Sequence, residues 1–312
     1  MRSLLLAASL SIVAGCASGQ ATAVSSGVPT LDRAGLLGDV RALAADSMEG
    51  RRTGTPGGAK ARAYVTAALT RAGLRPFDGG YARGFAFATG RDSTRVEGAN
   101  VVGYLEGSEH GDRFIVVSAH YDHLGVQNGQ VYNGADDNAS GTAALIAIAE
   151  YFAAHRPRHS MIFAAMDAEE SWLRGAQAFV ATPPVPRGAM VLDVNMDMVS
   201  HSERGELYAA GAHHYPAMRP YLERLAARAP VKLLLGHDSP TLPPPDDWTK
   251  SSDHGAFHAA RIPFVYFGVE DHADYHRPTD DFDTITPDFF VRAAETVTAF
   301  IEDADRGLDA AR

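Results

Sequence analysis

The chain has 312 residues, of which 46% are hydrophobic and 21% are charged, and its formal net charge is −10 at pH 7. This length suffices for one large domain or two modest ones, and the composition is that of a soluble globular protein. The acidic balance argues against a surface that binds nucleic acid or anionic membranes, because both need clustered lysine and arginine.

The first residues predict an export signal rather than a part of the fold. Arg2 precedes an apolar run from Leu4 to Val13, which is too short for a permanent membrane span. The segment "VAGC" resembles a bacterial lipobox, in which Cys16 becomes the lipidated first residue of the mature protein. An ordinary signal peptide with an incidental cysteine is the alternative. Cys16 is the only cysteine, so the mature chain cannot form an internal disulfide.

These features divide the chain into four predicted parts. They are a signal peptide (1–15), a lipidated cysteine with a flexible tether (16–30), a folded domain (31–305) and a C-terminal tail (306–312). We expect an exported protein that is lipid-anchored in the cell envelope and faces the periplasm. Ala17 after the cysteine resembles an outer-membrane sorting signal, if the cell has an outer membrane.

Two amphipathic helices are predicted at the start of the domain. They cover "LDRAGLLGDVRALAADS" and "GGAKARAYVTAALTRAGL", and the glycine-rich segment "MEGRRTGTPGG" between them is predicted to be a loop. From Asn100 onward, short apolar runs alternate with helical stretches; the runs are "NVVGYLEG", "FIVVSAH", "SMIFAAMD", "AMVLDVNMD" and "IPFVYFG". This alternation predicts an α/β fold, a single-domain three-layer sandwich with a mostly parallel mixed sheet and helices on both faces.

The ends of the predicted strands carry histidines and carboxylates. Ligands of such sheets bind outside the carboxyl ends of the strands. Four strand ends and the loop "NGADDNASG" supply polar groups there; they include His120, Asp122, Asp136, Asp137, Glu169, Glu170, Asp197, His272 and His276. Each has an ordinary explanation alone, such as a helix cap or a solvated acid, but their coincidence at one edge is unexpected. The proline-rich stretch "LLLGHDSPTLPPPDDWTKSSDH" is predicted to be a long surface loop that borders a pocket.

A pair of divalent metal ions explains this concentration of charge. Crowded carboxylates repel each other, as the adjacent Glu169 and Glu170 do, unless cations stabilise their ionised forms. Imidazole nitrogen and carboxylate oxygen suit zinc, and two metals close together can stabilise both sides of a displacement reaction.

The segments "SAHYDHLG", "NGADDNASG", "DAEESWLRGA", "NMDMV" and "DYHRPTDDFDTI" resemble, in this order, the metal-binding segments of the M28 zinc aminopeptidases. The resemblance continues through "ALAADSMEGRRTGTPGG", "GANVVGYLEG" and "SSDHGAFHAARIPFVYF", and it covers roughly residues 31 to 303.

The resemblance implies two Zn²⁺ ions per chain. Asp136 would bridge them, His120 and Asp197 would complete one site, and Glu170 and His276 would complete the other. The family tends to hold the peptide bond between the paired aspartates, here Asp136 and Asp137, in the cis form.

The resemblance also implies the reaction. Glu169 would be the general base that activates a metal-bound hydroxide to hydrolyse peptides with a free N-terminus. Asp122 would support catalysis by orienting His120. Asp253 and His254 match a segment that approaches the substrate, so we expect them at the substrate pocket or close behind the ligands.

Other histidines are not predicted ligands. His123 reads as a loop residue at the rim, and the motif match falls on His276 rather than His272. Surface or pocket-wall positions are expected for the four histidines outside any matching motif, which are His201, His213, His214 and His237.

Alternative functions remain on the same fold. They are single-zinc glutaminyl cyclisation, an M28-type carboxypeptidase or dipeptidase activity, and a non-catalytic binding ectodomain. The ectodomain predicts eroded ligands, and none is eroded here. No clear arginine cluster for a substrate C-terminus is evident in the sequence.

Overall fold

The computed structural model describes residues 27–90 and 92–308. The predicted signal peptide, Cys16 and most of the tether therefore lie outside the described residues. No helix in the described part of the chain is both long enough and apolar enough to cross a membrane.

A nine-stranded sheet forms the centre of the fold, and a separate hairpin lies beside it. The strands of the large sheet are β1 (Arg75–Pro76), β2 (Ala82–Thr89), β3 (Thr94–Leu105), β4 (His110–His120), β7 (His159–Met166), β8 (Met190–Met196), β9 (Glu206–Ala210), β10 (Lys232–Leu235) and β11 (Phe264–Gly268). The hairpin consists of β5 (Gly125–Gln127) and β6 (Gln130–Tyr132).

Seven α-helices accompany these strands in the described residues. They are α1 (Arg33–Leu43), α2 (Pro56–Arg71), α3 (Gly141–Ala154), α4 (Arg174–Ala181), α5 (Arg219–Ala226), α6 (His254–Ala259) and α7 (Pro287–Gly307). The last helix continues to Gly307, two residues beyond the predicted end of the domain.

The sheet is mixed, as predicted. Its order is β1-β3-β7-β4-β8-β11-β9-β10, with β2 paired to β3. The four central strands β7, β4, β8 and β11 are parallel to one another, whereas β3 and β9 run antiparallel to their central neighbours. The carboxyl ends of the central strands therefore meet at one edge.

Helices cover both faces of the sheet, which confirms the predicted three layers. Successive strand residues point to opposite faces, so Val117 of β4 packs in the larger core with α1, α2, α3, α5 and α7, while Val116 packs in the smaller core with α4 and α6. Strand β7 is buried along its whole length. A strand covered on both sides is mostly apolar, and β7 is apolar from Met161 to Met166.

The first two helices begin at residues whose side chains cap the helix N-terminus. The Asp32 side chain accepts a hydrogen bond from the Ala34 amide at the start of α1, and the Thr55 side chain accepts one from Gly58 at the start of α2. Pro56 occupies the first turn of α2, where its missing amide proton costs nothing. The predicted loop between these helices contains 3₁₀-type turns within Asp46–Arg51, and they are interrupted at Glu49 and Gly50, whose backbone angles are not helical.

Candidate metal centre

One group of candidate ligands gathers around His120 at the end of β4. The His120 Nε2 atom lies 3.2 Å from Asp197 Oδ1 and 3.4 Å from Asp137 Oδ1. All three side chains are buried. Burial alone would lower the pKa of His120, but the carboxylates of Asp197 and Glu169 outweigh it and raise that pKa well above its usual value. We call His120, Asp137 and Asp197 the His120 side.

A second group gathers around His276, in the loop after β11. The His276 Nε2 atom lies 3.0 Å from Asp137 Oδ2 and 3.4 Å from Glu170 Oε2. His123 joins this group, because its Nδ1 atom lies 2.7 Å from Glu170 Oε1 and 3.7 Å from Asp137 Oδ2. We call His123, Asp137, Glu170 and His276 the His276 side.

Asp137, not Asp136, connects the two sides, so the prediction for Asp136 is wrong. Asp137 presents Oδ1 to the first side and Oδ2 to the second. The Asp136 carboxylate points elsewhere: its Oδ1 accepts hydrogen bonds from the Ser200 amide at 2.6 Å and the Ser200 hydroxyl at 2.8 Å, and its Oδ2 contacts His272 Nε2 at 3.1 Å. The cis peptide bond is likewise one position later than predicted, between Asp137 and Asn138.

Asp280 explains why the two neighbouring aspartates differ. Its Oδ1 accepts the Asp136 amide at 2.9 Å, and its Oδ2 accepts the Asp137 amide at 3.1 Å. Both amides thus point at one carboxylate, and the two side chains leave the backbone in different directions. Asp136 turns toward Ser200, and Asp137 turns toward the histidines.

Glu169 and Asp122 occupy neighbouring positions beside the His120 side. The Asp122 backbone carbonyl is 3.1 Å from His120 Nδ1, closer than the Asp122 carboxylate at 3.6 Å. That carboxylate accepts the Glu169 amide at 3.0 Å. Asp122 therefore supports both the histidine ring and the main chain of Glu169. Burial raises the pKa of Glu169 well above its usual value.

The chemistry of these donors fits divalent metal ions. Neither ring nitrogen of the buried His123 makes a hydrogen bond within the described residues, nor does the facing oxygen of Glu170. Burial lowers the pKa of His123 to about 4, so its imidazole is neutral at pH 7. Imidazole nitrogens facing carboxylate oxygens form a donor set that suits zinc, and buried polar atoms without partners commonly mark an ion site.

His123 and Asp137 are the site residues that the sequence reasoning missed. The signal for His123 was its position three residues after His120 in "HYDHLG", but a loop histidine explained it equally well. His272 contacts Asp136 and stacks on His201 at 3.9 Å between ring centroids, which places it outside both sides as predicted.

A cleft opens onto these groups. Its cavity has a volume of about 380 Å³. It is lined by Asp137, Glu169, Glu170, Asp197, Met198, Pro245, Asp246, Trp248, Ser251, Tyr266, Val269, Glu270, Asp271, Tyr275 and His276. Four of these residues come from the proline-rich stretch after β10, which confirms that this stretch borders a pocket.

Asp253 and His254 do not line the cleft, so of the two predicted positions the structure excludes the pocket wall and leaves the one behind the ligands. Both are fully buried behind it, where α6 begins. His254 Nε2 contacts the Trp248 carbonyl at 2.7 Å and thereby supports the loop that forms the wall. Burial raises the pKa of Asp253 to about 8.

Known proteins resemble this chain in sequence. A fungal "Vacuolar membrane protease" of Schizophyllum commune is 29% identical over 147 residues, which are 47% of this chain and 14% of that protein. A "Probable zinc metalloprotease" of Pyrenophora tritici-repentis is 35% identical over 107 residues, which are 33% of this chain and 24% of that protein. The chain thus spans about a quarter or less of the length of these curated relatives.

Solved structures share the fold. An aminopeptidase from Aneurinibacillus sp. strain AM-1 has a TM-score of 0.70 at 14% identity, with 88% of this chain and 94% of that chain covered. A glutaminyl cyclase from Bacteroides thetaiotaomicron has a TM-score of 0.70 at 19% identity, with 89% and 99% covered.

The family assignment follows from the sequence match. The profile of Peptidase family M28 matches residues 100–301, about two thirds of the chain. This range contains every member of the His120 side and the His276 side, together with Glu169. The chain therefore belongs to Peptidase family M28.

Proposed function

We propose that this protein is an aminopeptidase that uses two zinc ions to remove N-terminal residues from peptides. The observation that carries the proposal is the position of Asp137, which has one carboxylate oxygen in each ligand group. His120 and Asp197 would hold one ion with it, and Glu170, His276 and His123 surround the place of the other. When bound, the two ions supply a Lewis acid for the scissile carbonyl and lower the pKa of water.

The residues of the chain move the proton. Glu169 lines the cleft, and its main chain is fixed by Asp122. Its carboxylate accepts a proton from the attacking water and returns that proton to the leaving amine, which is general acid–base catalysis by one group. Trp248, Tyr266 and Tyr275 contribute aromatic rings to the lining of the cleft beside these acids.

The charge of the cleft favours an N-terminus over a C-terminus. Beyond Glu169 and the candidate ligands, it is lined by Asp246, Glu270 and Asp271, and no lysine or arginine is among its described lining residues. A free α-ammonium group is attracted to such a surface, whereas a terminal carboxylate is repelled. This argues against the carboxypeptidase alternative.

Glutaminyl cyclisation is the second candidate, because a glutaminyl cyclase shares the fold. The alternative predicts one zinc per chain. The presence of donors on both sides, including His120, supports two ions and hydrolysis.

Metal content and substrate preference test the proposal together. Purified protein should contain two zinc ions per chain and hydrolyse aminoacyl-p-nitroanilides, and a chelator should abolish the activity. One tightly bound zinc, cyclisation of N-terminal glutamine and no release of amino acids would reject it in favour of the cyclase.

We also propose that the protein acts outside the cytoplasm, anchored by a lipid on Cys16. Replacement of Cys16 by alanine should release the exported protein from the membrane fraction. Retention of the variant in that fraction would contradict the anchor.

A further inference from the structure

Arg51 lies directly behind the candidate metal centre, although no step of the reaction uses it. It belongs to the glycine-rich segment "MEGRRTGTPGG" and directly follows the kink at Glu49 and Gly50. Its side chain is fully buried and is among the largest fully buried side chains of the described structure. A buried arginine needs partners for its donors and its charge.

The guanidinium of Arg51 donates four hydrogen bonds, all of them to backbone carbonyls. Nε donates to Tyr121 at 2.8 Å, and Nη2 donates to Gly134 at 2.9 Å. Nη1 donates to Leu43 at 2.8 Å and to Asn133 at 2.5 Å. One planar group therefore joins three separate parts of the chain.

Two of these parts carry the candidate ligands. Tyr121 lies between His120 and Asp122, and Gly134 lies three residues before Asp137. Because the acceptors are main-chain atoms, Arg51 fixes the backbone of both segments and hence the distance between His120 and Asp137. The rigid fork of arginine suits this task, since its donors point in fixed directions.

The backbone around Arg51 adopts an unusual conformation where the side chain enters the protein interior. Glu49, Gly50 and Arg51 all have positive φ angles, of 53°, 64° and 54°. A Cβ atom on Gly50 would lie 2.5 Å from the Tyr132 carbonyl oxygen and 2.6 Å from that of Gly125, so only glycine fits there. Non-glycine residues in this conformation are strained, and the surrounding contacts must compensate for that strain.

The positive charge of Arg51 faces the ligands rather than a dedicated partner. Within the described residues it makes no ion pair, and the carboxylates that act on it through space are those of Asp137, Asp280, Asp122 and Glu170. Two of these belong to the His276 side. A cation at this position favours the ionised forms of these carboxylates, against the burial that raises the pKa of Glu170 well above its usual value.

We propose that Arg51 is a positioning residue that pre-forms the metal centre, by holding the segments of His120 and Asp137 at the separation at which Asp137 spans both sides. This role rests on the proposed two-zinc function. His120 and Asp137 both belong to the His120 side, and Asp137 also belongs to the His276 side. Loss of Arg51 therefore weakens the binding of both zinc ions.

Three variants test this role. Arg51→Met removes the hydrogen bonds and the charge, Arg51→Lys keeps the charge but offers a single nitrogen, and Arg52→Met alters the exposed neighbouring arginine as a matched control. Zinc affinities are measured by competition with a chromophoric chelator, and the coordination of each site by the visible absorption of Co²⁺-substituted protein.

Both Arg51 variants should bind each of the two zinc ions at least about tenfold more weakly than wild type, with altered Co²⁺ spectra. The control should match wild type. Wild-type affinity for both ions in either folded Arg51 variant would overturn the proposal, because neither variant can make all four hydrogen bonds.

Hydrogen exchange on the wild-type protein covers the case in which the variants do not fold, and it separates this proposal from the two-zinc function. If Arg51 pre-forms the centre, the amides of Tyr121, Ala135, Asp136 and Asp137 should stay protected after the metal is removed. Free exchange of these amides in metal-free wild type would overturn the proposal, whatever the number of zinc ions in the native protein.

Discussion

The His120 side and the His276 side of the candidate metal centre are built differently. His120 is the last residue of β4, and Asp197 directly follows β8, so both are fixed by central strands of the sheet. Glu170 and His276 lie in loops, and the His276 side chain is 39% exposed. His276 also has a positive φ of 55°, which a residue with a side chain adopts only under constraint.

The difference teaches that two ions in one centre need not be held equally. Ligands on rigid elements lose little freedom when a metal binds, whereas ligands on loops lose more. We therefore expect the His120 side to bind zinc first and more tightly, and the His276 side to exchange its ion more readily.

Stepwise removal of metal should have the largest effect and tests this inequality directly. A chelator at increasing concentration should remove the ion of the His276 side first, and activity should fall below detection once both are gone. Zinc content and activity measured along the same titration give the order. Simultaneous loss of both ions would show that the two sides do not differ.

Glu169→Gln should separate catalysis from metal binding on both sides. Glutamine cannot accept the proton, so kcat should fall by about 10²–10⁴-fold. Both zinc ions should remain, because Glu169 belongs to neither ligand group. Near-full activity in this variant would show that another group is the base.

Glu170→Gln and Asp197→Asn remove one carboxylate from each side and form a matched pair. Glu170→Gln should weaken one zinc ion by about 10–100-fold and leave the other bound. Asp197→Asn should affect the tighter ion instead, which two-site binding isotherms distinguish. If both variants weaken the same ion, the division into two sides is wrong.

Asp136→Asn should have the smallest effect and checks which aspartate spans the centre. An amide in place of the buried Asp136 carboxylate disturbs its bonds with Ser200 and His272, so unfolding free energy should fall by about 1–3 kcal/mol. Zinc stoichiometry should stay at the wild-type value, whereas Asp137→Asn should lower it. The reverse result would restore Asp136 as the bridging residue.

The sequence was sufficient for the central part of the fold. Strands β4, β7, β8 and β11 are continuous apolar runs because both of their faces are buried, and such runs are conspicuous. The outer strands β9 and β10 were not predicted. They have five and four residues, and their pattern does not distinguish them from loops or short helical segments.

The candidate site was predicted in outline but not in detail. His120 and Asp197 stand at the carboxyl ends of predicted strands. Because neighbouring parallel strands have their carboxyl ends at the same edge of the sheet, the sequence predicts that both residues lie at that edge. In "GADDNASG", however, either aspartate could face the centre, and the choice depends on Asp280, more than 140 residues away along the chain. The packing of Arg51 depends on three distant carbonyls and a nearby one, which no local pattern reveals.

The loop from His276 to Asp280 makes the centre sensitive to a single event. At one end the loop supplies His276, the exposed histidine of the His276 side. Four residues later it supplies Asp280, whose carboxylate fixes the backbone of Asp136 and Asp137. Opening this loop would withdraw a ligand and release the bridge in the same movement. In the proposed two-zinc enzyme, metal retention and closure of this loop would therefore be thermodynamically linked. A ligand of the cleft that orders the loop would also raise the affinity for the metal.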